Sequence, residues 1–206
     1  MHHSSHCRLS NLLRRFRRNT AGVAAVEFAF IAPLLMLMTF GTFEVTRALI
    51  MHQRFQKATA IIGDLVAREQ QLGQNPTDAK KQLGYIMHAA EQALAPYSSA
   101  PLQMAIYQFR ARSNDAAWTR IEWSYGHNMK ADACTTEYQL NSKAPANLLS
   151  KGDAAITVDA TYRFTPLLAN FLPKVIKTMT WTDRMTFAPR YGSVFYGQNT
   201  QNSTCS

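Results

Sequence analysis

The sequence predicts an α+β fold in which a long N-terminal membrane helix runs on into an exported domain of helices packed on an antiparallel sheet. Three observations carry this expectation. An apolar run with a single charged residue extends from Ala21 to Phe43. Apolar residues then recur at spacings of three and four up to Leu94. Beyond residue 100 the periodicity changes to two. The chain of 206 residues is long enough for one membrane segment and one domain of ordinary size. The implied organisation is a basic cytoplasmic leader over 1–20, a transmembrane helix over 21–47 and an exported domain over 48–206.

Charge is distributed unevenly. Residues 1–22 hold five arginines (Arg8, Arg14, Arg15, Arg17 and Arg18) and no acid, whereas the other 184 residues hold 17 basic and 13 acidic side chains. Much of the net charge of +9 therefore sits in front of the apolar run. Arginines flanking a membrane segment stay on the cytoplasmic side, and only Arg47 and Arg54 follow the run closely, so residues from about 48 onward are exported. No nucleic-acid recognition motif follows the arginines, which excludes that partner class.

The run AGVAAVEFAFIAPLLMLMTFGTF would span about 33 Å as a helix, enough for a bilayer core of about 30 Å. A signal peptide would be shorter and would close on a small-x-small cleavage site. Glu44 and Arg47 close this run instead and mark the membrane exit. Pro33 is tolerable if neighbouring backbone or water satisfies the carbonyl it frees. Glu27 is the one charged residue inside the run. A carboxylate there is costly and marks function by default, although a position near the cytoplasmic edge also allows it to reach the headgroups.

After the membrane exit, Phe55, Ala58, Ile62 and Leu65 define an apolar face on a helix that continues to about Gln71. Ile62 and Leu65 should meet a core. Gly73, Asn75 and Pro76 stop that helix, and a second follows over 77–95. Thr77 would cap it, Leu83, Met87, Ala90 and Leu94 would form its buried face, and Pro96 would end it. Strands are expected over 102–109, 117–125, 155–164 and 178–187. Leu102, Met104 and Ile106 share one face, as do Ile121 with Trp123, and the row from Ile156 through Phe164. Asp183 interrupts the apolar face of the last strand, the mark of an edge or a bulge. One-sided apolar rows suit a sheet covered by helices on one face. Residues 126–153 read as a long loop and residues 192–206 as a polar tail.

Cys7 precedes the apolar run, while Cys134 and Cys205 follow it. Export of the domain would leave Cys7 reduced and pair Cys134 with Cys205; the alternative is two unpaired thiols. No catalytic motif is present: no His-Glu-x-x-His, no Gly-x-Ser-x-Gly and no phosphate-binding glycine loop. Cys134 with His127 reads better as a disulfide cysteine near a loop histidine than as a thiol nucleophile. The expectation is a non-enzyme without cofactor or metal. Trp118, Trp123, Tyr125, Tyr162 and Trp181 stand at strand spacing and are read as core, with outward-facing members open to a surface-binding role.

The string RRFRRNTAGVAAVEFAFIAPLLMLMTFGTFEVTRAL resembles the start of the TadE-like (TadE/TadG-type) pseudopilins of the Flp, or tight adherence, pilus system. The matching features are the basic leader, Gly22, Glu27 and Phe28 at the Gly-x-x-x-x-Glu-Phe spacing, Pro33, and the Glu44 and Arg47 exit. IEWSYG, TYRFTPLL and MTFAPRYG are similar to pieces of the exported domains of that family. The resemblance implies a pilin-like architecture and cleavage by a prepilin peptidase between Gly22 and Val23. It also implies assembly through Glu27 and Phe28, and a role as a minor pseudopilin or assembly component in the bacterial inner membrane. Other pseudopilins and the Flp pilus machinery would be the partners, and the exported part would be periplasmic or extracellular. The competing reading is a single-pass anchored binding or adhesion module that never enters a pilus.

Overall fold

A computed structural model of the chain describes residues 20–113, 118–132, 137–139, 148–167 and 178–197. The chain divides into two compact units, residues 1–46 and 47–206. The first consists, among the described residues, of the N-terminal half of helix α1 (Thr20–Arg68). This helix is three residues shorter at its C-terminus than the apolar periodicity suggests. Gln71 belongs instead to a short strand, β1 (Gln71–Leu72), because its backbone is claimed by a late segment of the chain.

In the second unit, the C-terminal half of α1 buries Met51, Phe55, Ala58, Ile62 and Val66. These positions repeat every three or four residues, so one stripe of the helix faces the core. Leu65, expected in that stripe, is half-buried, and Val66 occupies the position next to Ile62. Helix α2 (Pro76–Leu94) buries Ala79, Leu83, Met87, Ala90 and Leu94. Its cap is Asn75, not Thr77: the Asn75 side chain accepts the Asp78 N–H at 2.9 Å. Pro76 takes the first helical position, where a missing N–H costs nothing.

Five strands form one antiparallel sheet: β2 (Leu102–Ala111), β3 (Trp118–His127), β4 (Glu137–Gln139), β5 (Ala154–Phe164) and β6 (Met179–Phe187). Their spatial order is β4-β3-β2-β5-β6. The long loop expected after residue 125 therefore contains the end of β3 and the short edge strand β4. β6 is an edge strand, as Asp183 suggested, and it pairs with β5 in regular register from Phe187 opposite Ile156 to Met179 opposite Phe164.

The bulge lies elsewhere. Gln108 pairs with Trp123 but Phe109 pairs with Ile121, which leaves Glu122 as an extra residue on β3. Ile121 and Trp123, expected on one face, consequently fall on opposite faces. Trp123 joins the main core, while Ile121 joins Ala105, Tyr107, Phe109 and Ala131 in a second apolar cluster. The bulged Glu122 is held by the Arg110 guanidinium and by the Gln108 amide at 2.6 Å. The sheet is thus apolar on both faces at its centre, not on one alone.

The expected polar tail is a second departure. Val194 is 0% exposed and Tyr196 is also buried. Strand β7 (Phe195–Tyr196) lies parallel to β1. The Trp123 indole donates to the Val194 carbonyl at 2.9 Å, and the Val194 N–H donates to the Gln108 side chain at 2.7 Å. Gly197, at φ +77°, returns its N–H to the Leu72 carbonyl. An added side chain would be strained there, which suits glycine.

Two substitutions test this packing by urea unfolding of the protein. Leu83→Ala should cost about 2–5 kcal/mol by leaving a cavity in the core, and Asn75→Ala about 1 kcal/mol by removing the cap. Ending the chain after Gly192 should lower the melting temperature, because it removes Val194 and Tyr196 from the core.

Candidate functional site

Residues 22–43 of α1 present apolar side chains on every side. Ala32 alone among them is half-buried; the rest are exposed, including Val23 at 59%, Phe28 at 66% and Phe30 at 80%. A helix that is apolar all round needs lipid or other apolar helices as its surroundings. Its most apolar window has a mean hydropathy of 2.1. Glu27 stands exposed within it. Nothing in the structure crowds Gly22: a Cβ added there would meet no atom within 4 Å. Val23 and Glu27 are four residues apart and share a helix face, whereas Gly22 and Glu27 do not.

The polar groups of this half are managed internally. Thr39 donates its hydroxyl to the Leu35 carbonyl at 2.8 Å, Thr42 to Met38 at 2.8 Å and Thr46 to Thr42 at 2.9 Å. Such back-bonds let hydroxyls enter an apolar medium without seeking a partner. Pro33 has no N–H to give the Ala29 carbonyl, which makes this turn the place where the helix most readily bends. Glu44 is half-buried at the end of the apolar run.

Arg47 opens the second unit. Its guanidinium lies 5.1 Å from the Phe164 ring centre and 5.9 Å from that of Tyr97. Arg54 lies 5.9 Å from the Tyr97 ring and donates to the Ala95 carbonyl. Behind Arg47 the rings continue. Trp181 stacks on Phe164 at 5.0 Å and on Tyr162 at 6.2 Å, and His52 meets Trp181 edge-on at 5.1 Å. The Tyr162 hydroxyl donates to the Ser98 carbonyl at 2.8 Å. Flat cations over ring faces are favourable where water is scarce. The sequence singled out Arg47 for its place after the apolar run; the rings of Tyr97 and Phe164 beside it, with Trp181 stacked behind, were not legible, since three separate stretches of chain supply them. The only hint was an aromatic residue near the end of each.

Further along, a groove of about 670 Å³ runs between α1 and α2, with Arg54, Lys57, Gln53 and Ile61 on one side and Ala89 and Gln92 on the other. His127, at the end of β3, stands 3.6 Å from the Glu91 carboxylate, which also meets His88 at 2.9 Å. Cys134, Cys205, Cys7 and the five leader arginines lie outside the described residues.

Burial pushes the Tyr162 phenol above its ordinary value of 10.0, and the positive charge of Arg47 opposes the rise. Burial also raises Tyr125 and Tyr196, the latter with a further push from Tyr125. In the unfolded chain these phenols ionise near 10.0, while in the fold they stay protonated to higher pH. Their contribution to stability is therefore complete below pH 10 and declines as pH rises past it. An ultraviolet titration should show late-ionising tyrosines, and unfolding should become easier above pH 10. Arg47→Gln should delay the Tyr162 ionisation further.

Residues 22–62 match the family model described as TadE-like protein. The match begins at Gly22 and runs through the apolar half of α1 to Ile62 in its packed half. The three strand-region pieces that resemble the same family lie outside it. No curated protein matches the chain, and no solved structure does.

Proposed function

We propose that the chain is a minor pseudopilin or assembly component of a Flp-type pilus, held in the bacterial inner membrane by residues 21–47. The observation that carries this reading is the TadE-like match over residues 22–62, which takes in the helix half exposing apolar side chains on all sides and part of the packed half. The protein acts by packing, not by catalysis. The leader stays in the cytoplasm, as its arginines require, and residues from 48 onward are exported. Prepilin peptidase cuts between Gly22 and Val23, and the shortened helix then packs beside those of other pseudopilins.

The chemistry of the cut follows from Glu27. A lone carboxylate is unfavourable in lipid. Cleavage creates an α-amino group on Val23. The Val23 amine of one subunit meets the Glu27 carboxylate of its neighbour, and the two charges compensate in low dielectric. Phe28 beside it supplies exposed apolar surface for the same helix contact. Cys134 and Cys205 bond to each other in the exported domain.

N-terminal mass spectrometry of the native protein, from membrane and sheared-pilus fractions, tests the reading. The expected mature chain begins at Val23. Gly22→Leu should block processing without blocking insertion, and Glu27→Gln should insert and be processed yet assemble poorly. A native chain that retains residues 8–22 would sink the pseudopilin reading and leave an anchored binding module. A reporter fused after Arg68 should work only if it functions outside the cytoplasm; cytoplasmic activity there would overturn the orientation.

A further inference from the structure

We propose that the groove between α1 and α2 receives a helical segment of a partner protein, and that two acids of that segment, one turn apart, pair with Arg54 and Lys57. The proposal does not rest on the pilus reading. Its first support is the shape of the site. The groove holds about 670 Å³ of open space, and its walls are two helices described without a break. It extends at least from Ile50 to Ile61, about 16 Å or three turns of α1. A long open trough suits a helix better than a small molecule, which needs an enclosing cavity. Part of its lining is apolar and incompletely covered: Ile50 is 42% exposed, and Ile61, Ala89 and Ala93 are half-buried. Ala89 and Ala93, four residues apart on α2, share a face and let another helix approach closely.

The second support is charge. Arg54 and Lys57 stand three residues apart on α1 and line the same groove. The Arg54 guanidinium is oriented by the Ala95 carbonyl and the Tyr97 ring, neither of which neutralises it. No carboxylate lines the groove among the described residues. The acids on the two helix stretches that form it are engaged elsewhere: Asp64 with Arg68, Asp78 with Asn75, and Glu91 with His88 and His127. The segments outside the described residues contain one acid, Asp115. Two neighbouring cations beside apolar surface call for an acidic amphipathic partner.

Other occupants fit less well. The chain has 13 acids, and no two of them lie within four residues of each other. A second copy therefore offers no acidic pair at one-turn spacing, and neither does any other segment of the same chain. A lipid headgroup is out of reach. With residues 21–47 as the anchor, Arg54 and Lys57 stand about three to four turns past Phe43 along α1. The headgroup layer adds only about 5–7 Å on each side of the bilayer core, little more than one turn. An acidic helix also gains selectively: a purely apolar one would cover two cations without compensating them.

The test uses the full-length protein in uncharged detergent micelles and three labelled helical peptides about sixteen residues long. The first carries leucines and two glutamates one turn apart on the same face. The second has glutamine in place of both glutamates, and the third has the glutamates on the opposite face. Fluorescence anisotropy should show the first binding roughly tenfold tighter than the other two, with the advantage shrinking as salt is raised. Lys57→Gln should lower that preference about threefold, and Arg54→Gln combined with Lys57→Gln should erase it. Lys57 is exposed, so its single variant keeps the test readable if loss of the Arg54 contacts disturbs the fold. Ala89→Phe, which puts a ring into the groove, should weaken binding of the first peptide. Equal binding of the glutamate and glutamine peptides, a preference that survives the double variant, or binding untouched by Ala89→Phe would each overturn the proposal. So would a dimer in the micelles that Ala89→Phe dissociates, since the occupant would then be a second copy.

Discussion

The stripe Met51, Phe55, Ala58, Ile62 and Val66 is the contact on which the second unit depends. It buries one face of α1 in the same core as the inner rows of β2 and β5 and the buried face of α2. Each row alone would be an apolar strip in water; together they form one closed core. The tightest point shows how close the layers come. Phe187 of β6 lies against the bare backbone of Gly63, so the helix approaches the sheet only because that position has no side chain. The Phe55 ring meets Tyr162 at 6.0 Å, which carries the same contact toward the aromatic cluster around Arg47.

The last described stretch of the chain locks this arrangement. The backbone of residues 190–197 returns to the end of α1, where Arg190 donates to the Ala67 carbonyl and Phe195 to the Gln70 carbonyl. Val194 is held between Trp123 and Gln108. Gln108 is buried, and both ends of its amide are used: it donates to Glu122 and accepts from Val194. A buried amide satisfied in this way specifies its neighbours more strictly than an apolar residue would. The bulge at Glu122, the Gln108 amide and the Val194 return are therefore one structural unit.

The two halves of α1 obey different rules with the same backbone. In residues 22–43 every face is apolar, hydroxyls are folded back onto carbonyls, and a single carboxylate stands among them. In residues 51–66 only one stripe is apolar. The first pattern asks for lipid or other helices, and the second for a core of its own. Glu44 and Arg47 lie between the two patterns. A protein built this way can be embedded by one half and folded by the other.

Periodicity and flanking charge alone determined the fold class, both helices and the four long strands, whereas Gly22, Val23, Glu27 and Phe28 were singled out through the resemblance to the TadE-like family, and Glu44 and Arg47 by their place at the end of the apolar run. These features are local: an apolar run, a repeat of three and four, an alternation of two, and arginines on one side of a segment. The edge position of β6 was legible for the same reason, since an acid within an apolar row is visible in the sequence. Tertiary structure alone decided the rest. The bulge separates Ile121 from Trp123 because pairing, not alternation, sets which face a side chain takes. Val194 and Tyr196 enter the core because long-range partners capture a segment whose own composition is polar. Tyr97 and Phe164 flank Arg47 because distant stretches of the chain meet at one place, and no spacing along a chain records which will meet.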